Sequence, residues 1–111
     1  FYTLELRKHY RNFKDALEGL DAQILFDLVL SPILKIQDPR QDARLAYGKG
    51  KNDMLGAKEK VDRGKYAVAF GLFPATVQQI KDISDEGLTM PPKSTFIQPK
   101  LRSGVTIYEF L

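Results

Sequence analysis

At 111 residues the chain is bounded to a single domain with room for one core. Its 43% hydrophobic and 28% charged content is ordinary for a soluble globular chain, and the absence of cysteine excludes disulfide and thiolate chemistry and suits a reducing compartment. The net charge of +3 is mild, and its lysines and arginines are interspersed with acids, as in Lys58-Glu59-Lys60 and Lys81-Asp82, which argues against a dedicated nucleic-acid binder.

Residues 1–8 alternate as a strand does, with Tyr2, Leu4 and Leu6 on one face and Thr3, Glu5 and Arg7 on the other. The chain opens at Phe1, inside this run, so a longer protein preceding it is expected. A polar stretch, 9–19, with room for a short helical turn follows. Asp21 reads as an N-cap, with Ile24, Leu25, Leu28 and Val29 as one apolar helical stripe. Pro32 kinks or ends that helix, and Pro39 lies beyond it.

The charged segment Asp38-Pro39-Arg40-Gln41-Asp42-Ala43-Arg44 reads as a loop leading to a short strand, 45–47. After Gly48-Lys49-Gly50-Lys51, Asn52 is placed to cap a second helix running to about Arg63, closed by Gly64. Residues 66–73 are apolar almost throughout, as in a strand covered on both faces. This longest apolar run, broken by Gly71, falls well short of the ~18 residues of a membrane span. Thr76-x-x-Gln79 is a capping box opening a third helix with Val77, Ile80 and Ile83 on one side, and Gly87 stops it. A hairpin, 94–98 and 105–111, closes the chain. The order β-α-β-α-β-α-β-β predicts an α+β domain over residues 1–111, with a mixed sheet, helices against it and a C-terminal antiparallel hairpin.

Three segments carry groups suited to a site. In Met90-Pro91-Pro92-Lys93-Ser94-Thr95-Phe96-Ile97-Gln98-Pro99-Lys100, the lysines supply charge and the hydroxyls of Ser94 and Thr95 donate hydrogen bonds to a phosphate or carboxylate; alternatively the prolines shape a turn and the hydroxyls bond local backbone. Arg40 and Arg44 can fork a carboxylate, or form an exposed ion-pair network with Asp38 and Asp42. Gly48-Lys49-Gly50-Lys51 precedes a helix, where a glycine loop can cradle an anion, but it matches no P-loop or dinucleotide fingerprint and reads better as a flexible connection. His9, the only histidine, makes no ordinary zinc site by itself, and no motif names a cofactor. Ser94 and Ser103 lack a G-x-S-x-G context.

Leu20-Asp21 before an apolar helix, Asp38-Pro39-Arg40 with Asp42 and Arg44, and an apolar strand before Pro74 recur in one known arrangement. So does the Met-Pro-Pro-Lys-Ser-Thr run followed by Pro99-Lys100. Together, from about Leu20 onward, they resemble the C-terminal portion of the bacterial and archaeal domain-of-unknown-function family 1015. Where members carry Ile-x-Tyr or Ile-x-Phe after the charged loop, this chain has Leu45-Ala46-Tyr47. The resemblance implies a cytoplasmic protein much longer at its N-terminus, often encoded near serine-biosynthesis genes. It carries over no catalytic residue.

The first functional expectation is an anion-contacting surface of Arg40, Arg44, Lys93, Ser94, Thr95 and Lys100. It would bind a small phosphorylated or carboxylate metabolite together with the N-terminal region of the same protein. The second is a structural or interaction module, such as a homodimerisation domain. The third is part of a nucleotide-dependent small-molecule kinase linked to serine metabolism. Neither nucleic acid nor membrane is an expected partner.

Overall fold

The computed structural model describes residues 1–49 and 51–95, with Lys51 and Asn52 placed by backbone alone. In chain order the elements are a 3-10 turn at Lys8–Tyr10, helix α1 at Asp21–Leu25 running on into a π-helical turn at Phe26–Leu30, helix α2 at Lys51–Asp62 and helix α3 at Val77–Asp85.

Helix α3 forms as its sequence dictates. The Thr76 side chain accepts the Gln79 N–H at 3.2 Å, and the Thr76 N–H donates to Gln79 Oε1 at 2.9 Å, which satisfies two donors that a helix start leaves open. At the other end Gly87 turns left-handed, with φ +68°. Its N–H donates to Ser84 O and the Leu88 N–H to Ile83 O, each at 2.9 Å. This pair of bonds is a Schellman closure. Gly64 (φ +73°) closes α2 in the same way, with the Gly64 N–H on Val61 O and the Lys65 N–H on Lys60 O. Along α2, Lys58–Asp62 and Glu59–Arg63 pair at i,i+4.

Ahead of α1, residues 14–18 close on their own carboxylates. The Glu18 N–H donates to Asp15 Oδ1 at 2.8 Å and the Lys14 N–H to Glu18 Oε2 at 3.0 Å. Glu86, past the end of α3, accepts the Ala16 N–H at 3.1 Å and ties two distant segments together. The N-cap of α1 is Leu20, with no side-chain cap, so the helix starts one place earlier than expected and Asp21 is its first residue, not its cap. A carboxylate there still faces the positive end of the helix. In the π turn the Ser31 N–H reaches Phe26 O at 2.9 Å, and beyond it the Leu34 N–H reaches Val29 O at 3.1 Å, both spanning five residues. Pro32 gives the reason. It has no N–H to donate, and in a regular α-helix its ring would crowd the Leu28 carbonyl, so the turn widens.

The expected α+β fold, with its mixed sheet and β-α-β-α-β-α-β-β order, is corrected: the described residues form helices and no strand. A strand exists through the ladder it makes with a neighbour, not through its composition. Residues 1–7, 45–47 and 66–73 have the expected apolar content, yet none of them has a ladder partner among the described residues. Tyr2 (98% exposed) and Phe73 (86%) show how little covers the first and last of these runs. Ser94 and Thr95 lie outside any strand. The rest of the expected hairpin, 96–98 and 105–111, is outside the described residues.

Tertiary burial is thin. Leu20, Ile36 and Ile83 are the buried side chains of the described residues, and fourteen large apolar side chains are exposed. Ile80 is half-buried beside Ile83, whereas Val77 is 83% exposed, so the expected apolar side of α3 is only partly covered. Apart from α1 and its own π turn, no two of the described elements pack on each other. Residues 66–73 meet α2 through the Tyr66 N–H, which donates to Lys60 O at 3.4 Å, and at Gly71, where a Cβ would sit 3.3 Å from Met54 Cε. The Cα radius of gyration is 16.6 Å, against about 13 Å for a compact chain of this length.

Because α3 is held by its ends, Thr76→Ala should weaken its first turn by about 1 kcal/mol. That is a roughly fivefold faster amide exchange at Gln79 and Ile80, with α2 unaffected; unchanged exchange would show that packing, not the cap, holds the helix.

Candidate functional site

The charged loop 38–44 builds itself from side chain to backbone. Asp38 Oδ1 accepts the Arg40 N–H at 2.8 Å, and Asp38 O accepts the N–H groups of Gln41 and Asp42 at 3.2 and 3.1 Å. Asp42 repeats the device two residues on, its Oδ1 accepting the Arg44 N–H at 3.0 Å. Such carboxylate-to-backbone turns are the ordinary use of Asp in loops.

The Arg44 guanidinium then grips Asp42 in a fork, Nε to Oδ1 at 2.9 Å and Nη2 to Oδ2 at 2.6 Å. The same group donates to the carbonyls of Leu34 at 3.1 Å and Lys35 at 3.2 Å. Lys35 carries a left-handed φ of +56° at this point. Arg44 therefore ties the loop to the chain leaving the π turn. Only 16% of the Asp42 side-chain surface is exposed. The forked hydrogen bonds and charge of Arg44, with the backbone N–H, pull the Asp42 carboxyl down from 3.8 to about 2, and Asp42 in turn holds the guanidinium above its ordinary value. Tyr47 closes the loop by donating its hydroxyl to Pro39 O at 2.8 Å. Partial burial, helped by the negative charge of Asp38, raises the Tyr47 phenol above its usual value, so it remains a donor at neutral pH.

At the second segment the Ser94 hydroxyl donates to Pro91 O at 2.6 Å, and its N–H reaches the same carbonyl at 3.4 Å. Lys93 sits between them with φ +59°, exposed, and Thr95 is exposed as well. Lys100 lies outside the described residues. Arg40 is exposed, with its backbone N–H on Asp38. Among the described residues no hydrogen bond or ion pair joins the 38–44 loop to the 91–95 turn. The structure thus brings Arg44 together with Asp42, and Ser94 with Pro91, while Arg40, Lys93 and Thr95 keep exposed side chains.

At the glycine-punctuated connection, which reads from sequence as a flexible link in preference to an anion cradle, Asp53 in the first turn of α2 accepts the Lys49 N–H. Beside the charged loop lies an open hollow of about 280 Å³, lined by Lys35, Gln37, Asp38, Gln41 and Asp42. No three His, Cys, Asp or Glu side chains are grouped to hold a metal among the described residues, and the His9 ring rests on Tyr10 with centroids 4.2 Å apart. No described helix is long and apolar enough to cross a membrane.

No family model, curated protein or solved structure matches the chain.

Sequence reasoning missed Asp15-x-x-Glu18, a capping pair legible from its spacing, and Glu86, whose long-range bond leaves no local signal.

The depressed Asp42 value sets a pH dependence. A group whose folded value lies below its free value contributes fully above the free value and loses that contribution as pH falls through the folded one. The loop tie should be complete above pH 3.8 and fail only near pH 2. Carbon-13 NMR of the Asp42 carboxyl should show a midpoint near 2. In Arg44→Lys, whose single ammonium has no fork, the midpoint should move back toward 3.8. An unmoved midpoint would mean that Arg44 is not the cause.

Proposed function

We propose that residues 1–111 act as an interaction module, a segment of a larger cytoplasmic protein whose apolar side chains are covered by the rest of that protein. The observation that carries this is the imbalance between three buried side chains and fourteen exposed large apolar ones among the described residues. Residues that bury so little of their own apolar surface need a second surface to order them.

The distribution favours a larger fold over a symmetric dimer. A two-fold interface uses one self-complementary patch. Here the exposed apolar groups are spread along the chain, at Phe1 and Tyr2, at Ile33, at Leu55 and from Leu72 to Val77. Segments spaced in this way suit insertion among several elements of a host. The resemblance to the C-terminal portion of the domain-of-unknown-function family 1015 points the same way, and the lack of cysteine suits a cytoplasmic setting.

Urea denaturation followed by circular dichroism tests this. Residues 1–111 alone should lose helicity gradually, without a cooperative transition and independently of concentration. The same residues within their natural polypeptide should unfold cooperatively. A sharp transition of the isolated monomer would refute the reading, and a concentration-dependent one would replace it with self-association.

A further inference from the structure

We infer that the hollow between residues 10–18 and the helix α1–π turn unit seats a cationic side chain with a long apolar stem, contributed by polypeptide outside residues 1–111. This rests on the interaction-module reading and names the chemistry of one of its contacts. The hollow is about 220 Å³ and combines apolar Phe13, Ile24 and Leu28 with the carboxylates of Glu18 and Asp27. Phe13 and Leu28 are exposed although they line it.

The two carboxylates are only partly engaged. Glu18 Oε2 takes the Lys14 N–H, while its Oε1 meets the largely exposed Lys14 ammonium no closer than 3.8 Å. Asp27 Oδ1 accepts the Gln23 side-chain amide at 3.0 Å. A purely apolar occupant would strip water from both acids and return nothing. An acidic one would be repelled. An arginine or lysine satisfies both halves, with its methylenes against Phe13, Ile24 and Leu28 and its charged head between the acids. Charge complementarity therefore selects the occupant.

Photocrosslinking in the natural polypeptide tests the proposal. With Phe13 replaced by p-benzoylphenylalanine, irradiation and peptide mapping should place the crosslink within a few residues of an arginine or lysine outside 1–111. Charge reversal by Glu18→Lys or Asp27→Lys should lower its yield at least fivefold, while Glu59→Lys on α2 leaves it unchanged. Asp27→Lys keeps the test sound if Glu18→Lys disturbs the 14–18 turn, because the bond recorded for Asp27 is the one to Gln23. A crosslink to a segment without a cation, a crosslink to residues 96–111, no crosslink, or a yield insensitive to reversal would each overturn the proposal. Failure of the interaction-module reading would appear separately, as cooperative unfolding of residues 1–111 alone.

Discussion

The unmet hydrogen-bonding groups at both ends of α3 and at the C-terminal end of α2 are closed from within a few residues of each end, and the order of these two helices depends on this. Thr76 and Gln79 open α3, Gly87 closes it, and Gly64 closes α2. Arg44 caps the carbonyls of Leu34 and Lys35 in the segment leaving the π turn from farther along the chain. Elements held in this way form without a large core behind them. The cost is that little fixes one element against another, apart from the Glu86 bond to Ala16 and the approach of Met54 to Gly71.

The legible parts of the fold follow from the same fact. The capping box and the two left-handed glycines are short-range signals, so α3 and the end of α2 could be read from spacing alone, while Asn52, expected to cap α2, lies inside a helix that begins at Lys51. The misplaced N-cap at Asp21 has a related cause, since an aspartate is favourable both at the cap and in the first turn. The strands could not be settled in this way. Alternation in residues 1–8 and the apolar run 66–73 record a tendency to be covered, and pairing also needs a distant neighbour that no local pattern specifies. The left-handed turns at Lys35 and Lys93 were equally hidden, because neither residue is a glycine or asparagine.

For the candidate site, the Asp-to-Arg spacing showed that residues 38–44 could pair internally; Arg44 pairs with Asp42, while Asp38 instead takes the backbone N–H of Arg40. Their reach to the Leu34 and Lys35 carbonyls depends on the backbone turning left-handed at Lys35, which composition does not show. A charged loop that satisfies itself is a structural part before it is a binding surface. The apolar side chains left uncovered elsewhere are the larger chemical fact about the described residues.

The π turn ahead of Pro32 bears on how the length of this chain can vary. A wide turn holds more residues per revolution than an α-helix does, so Phe26–Leu30 carries more chain than its span requires. Loss of one residue there, together with the proline that calls for the wide turn, can be absorbed by tightening to an ordinary helix with both flanks left in place. The same loss inside α3 would change the separation between the Thr76 box and Gly87 and turn one end of the helix against the other. Length variation among related chains is therefore expected to collect at the π turn and to spare α3.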